Sequence, residues 1–190
     1  MDLNRFCIKI FAADSASAEI LEYVPIFHQW IQKQCLEKHL LIDVADYSHV
    51  QQGPGIMLIA HEANISTDQT GGQLGILYQR KQPLEGDFEA RIKSALRTTL
   101  KVCELLETGL NRKTLFRGDQ IQISLNDRLV APSGQKSLSA LESFVSGLSA
   151  QLYPEETPTI ARSADAKGRA AVTIKTDAPV DLKTLLERTE

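Results

Sequence analysis

HLLIDVADYSHVQQGPGIMLIAHEANISTDQTGGQLGILYQRK, residues 39–81, is the stretch on which the fold turns. Between Leu40 and Tyr47 the side chains alternate, with Leu40, Ile42, Val44 and Asp46 on one face and Leu41, Asp43, Ala45 and Tyr47 on the other. That two-residue period is the signature of a strand. Gly53-Pro54-Gly55 is a turn, because proline presets φ and glycine can take a positive φ. Ile56 to His61 is nearly all apolar, as in a strand covered on both faces. Asp68 to Gly72 makes the next turn and Gln73 to Arg80 the next strand. Three strands joined by short turns predict an antiparallel meander.

Outward from this stretch the elements follow in order. Phe6, Ile8 and Ile10 alternate with Cys7, Lys9 and Phe11, which predicts a strand. From Pro25 onward, Phe27, Ile31 and Cys35 fall four residues apart with Trp30 beside them, one side of a helix. Asp87 to Glu107 is helical by its stripe of Phe88, Ile92, Leu96, Thr99, Cys103 and Leu106, with Asp87 as N-cap. Asp119 to Leu125 reads as a strand, its apolar face formed by Ile121, Ile123 and Leu125. Ser139 and Glu142 have capping-box spacing and predict a helix that buries Leu141, Phe144 or Val145, Leu148 and Leu152 before Pro154 stops it. Pro158 to Thr176 reads as a hairpin with its tip at 165–168, and a short helix follows around Leu182, Leu185 and Leu186.

The expected fold is α+β: a mainly antiparallel sheet with a central three-stranded meander and two to three packed helices. One domain covers 1–190, with the hairpin and a short tail from about 158. No internal repeat is visible. Neither GxGxxG nor GxxxxGK[ST] occurs, and βαβ repeats are missing, so a doubly wound nucleotide-binding fold is not expected.

Composition narrows the setting. A chain of 190 residues buries roughly 70% of its unfolded surface, enough to need neither metal nor disulfide for a core. Its net charge of −3 argues against nucleic acid as a partner. No apolar run is long enough for a membrane span. Cys7, Cys35 and Cys103 are odd in number and lie in apolar segments, so each is expected as a buried free thiol in a reducing, cytoplasmic compartment. The N-terminal MDLNRFCIKIFAAD carries charges within its apolar stretch, unlike a signal peptide.

The side chains that could carry chemistry cluster in the opening stretch. Asp43, Asp46, His49, His61 and Glu62 offer oxygen and imidazole donors for a metal, although they lack HxxxH or HExxH spacing. In a regular strand Asp43 and Asp46 point to opposite faces, and only a bulge near Ala45 would bring them together. Tyr78, Arg80 and Lys81 leave their strand together and could hold an anion. Tyr47 borders the same group, and Asn126-Asp127-Arg128 sits between a strand and a proline-containing loop, a common place for a site. The basic run Arg91, Lys93, Arg97 and Lys101 reads as a solvated helix face. His28, between Phe27 and Trp30, reads as a hydrogen-bonded core or rim histidine.

VPIFHQWIQ (24–32), LIDVADYSHV (41–50), GPGIMLIAHE (53–62), GILYQRK (75–81) and NDRLVAP (126–132) together resemble a family of bacterial proteins of about this length with no assigned activity. The resemblance implies a bacterial, cytosolic setting and carries over no catalytic residue or cofactor. The expected function is a non-catalytic module that binds a small ligand or a protein. Its expected partners are a small molecule and a second copy of the chain, the latter through a sheet edge or a helix. The alternative is a small metal-dependent, hydrolase-like enzyme using the histidines and aspartates of the meander. A subunit of a larger assembly is a third possibility, which requires an exposed apolar patch.

Overall fold

The computed structural model describes residues 4–13, 19–51, 53–112, 115–126, 135–164 and 169–189. The strands are β1 (Phe6–Ala12), β2 (Leu41–Tyr47), β3 (Gly55–Ala60), β4 (Ala63–Asp68), β5 (Gly75–Arg80), β6 (Phe116–Leu125), β7 (Thr159–Ala164) and β8 (Ala170–Lys175). The helices are α1 (Tyr23–Lys33), α2 (Phe88–Gly109), α3 (Gln135–Leu152) and α4 (Leu182–Arg188). The eight strands of the described residues form one antiparallel sheet in the order β2-β3-β4-β5-β1-β6-β8-β7.

Side-chain alternation explains how that sheet is covered. Ile76, Ile10, Ile121, Ile174 and Ile160 lie opposite one another across five neighbouring strands. The next row on the same face runs Val44, Leu58, Ile65, Tyr78, Ile8, Ile123 and Val172. These rows pack in one cluster with Tyr23, Phe27 and Trp30 of α1, Ile92, Leu96 and Leu106 of α2, Leu141 and Val145 of α3, and Leu182 and Leu185 of α4. All four helices therefore cover one face. Each fully buried isoleucine there contributes roughly 1.5–3 kcal/mol. The opposite face carries rows such as Met57, Ser66, Leu77, Lys9, Gln122 and Thr173, and no described helix packs on it.

The topology contains a duplication that the sequence does not display. β1-α1-(β2 to β5)-α2 and β6-α3-(β7, β8)-α4 follow one plan: a strand, a helix, a meander returning to the side of the first strand, and a second helix. The two opening strands, β1 and β6, pair antiparallel at the middle of the sheet.

Several expectations change. The meander has four strands and forms one flank of the sheet rather than its centre, because residues 63–68 are a strand. Its buried face uses Ala63, Ile65 and Thr67, of which Ile65 alone is strongly apolar, so the alternation is faint in the sequence. Among the described residues the helices number four, the tail helix included. α3 begins at Gln135, so Ser139 lies inside the helix and does not cap it. α1 buries Tyr23, Ile26, Phe27 and Trp30 instead of a stripe ending at Cys35. It stops at Lys33, where Gln34 takes a left-handed conformation (φ 48°), and this leaves Cys35 exposed. His28 is exposed as well. Asp87 caps α2 as expected, accepting the Ala90 N–H at 2.9 Å.

Candidate functional site

Strand direction sorts the candidate residues between the two ends of the sheet. Leu40, His61-Glu62 and Arg80 lie at one end, together with Phe6 and Asn126. Tyr47, Gly55, Asp68 and Gly75 lie at the other, with His49 just beyond Tyr47. The six residues of β3 hold His49 and His61 apart by about 20 Å, at ~3.3 Å per residue. The convergence required by a metal centre on these histidines is therefore not present. Among the described residues no three His, Cys, Asp or Glu side chains are grouped to hold a metal ion. His61 and Glu62 form the turn between β3 and β4 rather than part of a strand.

At the first end a polar cluster is sealed inside the core. His39 Nδ1 lies 2.9 Å from the Glu37 carbonyl, so this nitrogen carries the proton. Nε2 is then the acceptor, and the Tyr78 hydroxyl donates to it at 2.9 Å. Tyr78 in turn accepts from Arg80 Nη1 at 3.2 Å, while Arg80 Nε and Nη2 donate to the carbonyls of Gln82 (2.6 Å) and Pro83 (3.1 Å). Burial pushes the His39 pKa down and that of Tyr78 up, which favours the neutral form of both. Tyr78 and Arg80 are 1% and 5% exposed. Candidates for holding an anion by sequence, Tyr78 and Arg80 lock the loop after α1 to the end of β5.

Glu62 sits at the rim of this cluster and accepts the Leu40 N–H at 2.8 Å. Burial acts to raise its carboxyl, but the Leu40 hydrogen bond and the imidazoles of His39 and His61 outweigh it and leave the group below its usual range. Lys81 is half-buried and its N–H donates to the Glu62 carbonyl at 2.9 Å. Asn126 Oδ1 accepts from Arg169 at 3.1 Å, and the same guanidinium nitrogen lies 3.1 Å from the buried Sγ of Cys7. Asp127 and Arg128 lie outside the described residues.

A buried ion pair, not anticipated from the sequence, lies on the face without helices. Lys9 Nζ meets Asp68 Oδ2 at 2.7 Å and also donates to the carbonyls of Gln73 (2.7 Å) and Thr70 (3.3 Å). Lys9 and Asp68 are 3% and 6% exposed, and Thr70 Oγ1 donates to the other Asp68 oxygen at 2.7 Å. This set ties β1 to the β4–β5 connection. It leaves no cation free for a ligand.

Asp43, Tyr47 and His49 are exposed along the outer edge of β2, the first strand of the sheet. The bulge falls between Leu41 and Asp43, so Leu41 joins Val44 on the helix face instead of sharing a face with Asp43. From Asp43 to Tyr47 the register is regular, and Asp43 and Asp46 point to opposite faces. Three backbone N–H groups of this edge end on side chains: Leu41 on Gln34 Oε1 (3.0 Å), Val44 on Asp43 Oδ1 (2.8 Å) and Ser48 on Asp46 Oδ1 (2.8 Å). Gln34 Nε2 also donates to the Leu41 carbonyl at 2.9 Å, so one carboxamide closes a full rung as a neighbouring strand would. The side-chain and backbone hydrogen bonds from Ser48, with help from His49, hold the Asp46 carboxyl below its usual range.

Five large apolar side chains are exposed among the described residues. Four of them belong to this edge and its following turn: Leu40 (58%), Ile42 (54%), Tyr47 (40%) and Val50 (44%); the fifth is Leu21. Monomers rarely gather exposed apolar residues in this way, and these lie beside strand groups that no neighbouring strand pairs.

On the helix side a groove of about 440 Å³ opens between the loop after α1, α2 and α4. Lys38, Arg97, Lys101 and Lys183 line it, opposed by Glu37, Glu104 and Glu187. Part of the expected solvated face of α2 thus borders a concavity. Lys101 is paired with Glu104 at 2.6 Å. Cys35 lines the same groove, and partial desolvation raises its thiol pKa, the opposite of an activated nucleophile. Compared with known proteins, the chain matches no family model and no curated protein.

Proposed function

We propose that the chain is a non-catalytic binding module whose partner is an extended protein segment added to the outer edge of β2. One observation carries the reading: among the described residues, four of the five exposed large apolar side chains lie along one sheet edge and its following turn. Strand addition takes its affinity from main-chain hydrogen bonds and its selectivity from side chains at alternate positions. Both are on offer here, from Val44 to Ser48 and from Ile42, Tyr47 and Val50. The bacterial, cytoplasmic setting implied by the resemblance belongs to the same proposal.

The test is a titration of isotope-labelled protein with a capped threonine–valine peptide at millimolar concentration, read by backbone amide shifts. The reading expects shifts at Asp43 to Ser48 that vanish in Val44→Pro. An outer-edge strand tolerates that proline, because only the Asp43 hydrogen bond is lost. Shifts unchanged by Val44→Pro would refute edge docking. Shifts confined to Arg97, Lys101 and Lys183 would move the reading to the groove and to a small-molecule ligand.

A further inference from the structure

The β2 edge carries acidic groups in a particular arrangement. Between Leu40 and Gln51 the charged side chains are Asp43 and Asp46, with His49 the sole basic group, and Glu62 borders the Leu40 end. Each aspartate is tied to a backbone N–H of its own edge, Asp43 to Val44 and Asp46 to Ser48. These are the donors an added strand would claim. As its carbonyls take them, both carboxylates lose a hydrogen bond while apolar side chains close in around them, and a carboxylate so placed needs a new donor.

We propose that this edge selects an extended segment bearing two basic side chains three positions apart, a specificity that rests on the edge-docking reading above. The spacing follows from the register. Asp43 and Asp46 face opposite sides of the sheet, and strand side chains three positions apart do the same. One cation then meets each carboxylate as the incoming backbone takes the Val44 and Ser48 N–H groups. Gln34 sets the limit of docking, because its carboxamide already fills both hydrogen-bonding groups of Leu41.

Charge also decides against a second copy of the chain as occupant. Pairing β2 with itself places two pairs of aspartates along one ladder without a lysine or arginine between them, and like charges across a ladder destabilise it. The far edge of the sheet is different: Arg162 on β7 is held by Glu142 of α3.

Two capped threonine–valine peptides separate the possibilities, one with two lysines three positions apart and one with glutamates there. Each is titrated into the full-length protein and into Asp43→Asn/Asp46→Asn, whose amide oxygens can still accept the Val44 and Ser48 N–H groups. The expected result is that the lysine peptide binds at Asp43 to Ser48 about fivefold to tenfold tighter than the glutamate peptide, the advantage two exposed ion pairs supply. That preference collapses in the double variant and in high salt. Equal binding of both peptides at the edge overturns the charge selectivity and leaves edge docking standing. Binding of neither removes both claims. Concentration-dependent dimerisation of the unliganded protein with shifts at the same amides would make a second copy the occupant and overturn the proposal.

Discussion

Asp43 accepts the N–H of Val44, its own neighbour, through Oδ1 at 2.8 Å, so the carboxylate closes part of the strand edge that it decorates. Asp46 does the same for Ser48, and Gln34 does it for Leu41 from outside the strand. An edge strand is a template for unwanted pairing unless its free groups are blunted. Here the blunting comes from side chains rather than from a neighbouring strand.

Replacing Gln34 by alanine removes both hydrogen bonds to Leu41 and keeps a strained left-handed φ of 48°. We expect a loss of about 1–2 kcal/mol in denaturant unfolding. The Leu41 amide should also exchange with solvent markedly faster, while amides in the middle of the sheet follow global stability alone.

Tyr78→Phe leaves His39 Nε2 without its donor and removes the acceptor of Arg80 Nη1 inside the core. The expected cost is about 1–3 kcal/mol. His39 also predicts a pH dependence. Burial holds its folded-state pKa below the ordinary value of 6.5, so its contribution is complete above that pH. As pH falls below 6.5 the unfolded chain takes up a proton that the folded one resists, and stability declines toward the folded-state pKa. The decline between pH 7.5 and 5.5 should shrink in His39→Gln, as measured by denaturant midpoints.

Lys9→Met strands the Asp68 carboxylate in a buried site and should destabilise the protein by about 3–5 kcal/mol. Lys9→Met with Asp68→Leu removes both charges and should recover a large part of that loss. A double variant whose loss equals or exceeds the sum of the two single losses would mean that the pair is not favourably coupled as the 2.7 Å contact implies.

Gly55→Ala tests the turn before β3. Gly55 has φ 62°, and a Cβ there would overlap the hydroxyl and carbonyl of Thr67. That hydroxyl accepts the Ile56 N–H at 2.9 Å, so a shift of Thr67 would also open the β3–β4 pairing. A loss of at least about 1–3 kcal/mol is expected from the backbone conformation alone. Gly72→Ala, with φ 76° but open space around it, should cost less.

The fold was legible wherever burial is carried by large apolar side chains at a clean period. β1, β6 and α2 fall where Ile8, Ile121 and Ile92 and their neighbours place them. β4 was hidden because Thr67 is buried through a hydrogen bond and not through hydropathy. The end of α1 was misread because Gln34 turns left-handed to reach Leu41, a tertiary reason invisible in the spacing of Phe27, Ile31 and Cys35. For the candidate site, residue types were legible and roles were not. Tyr78 and Arg80 look like an anion site until His39, distant in sequence, is seen to use the tyrosine hydroxyl. Asp43 and Asp46 acquire their role only because β2 is an outer strand, and strand order is set by the whole sheet.

The central claim, that the β2 edge is a docking surface, is tested most directly by residue-resolved amide hydrogen exchange with and without the lysine peptide. Docking predicts that protection rises at Val44 and Ser48, whose N–H groups pass from aspartate oxygens to a strand, while Leu41 stays as it was. Unchanged exchange at Val44 and Ser48 with peptide in excess, or protection gained at the groove between α2 and α4 instead, would contradict it.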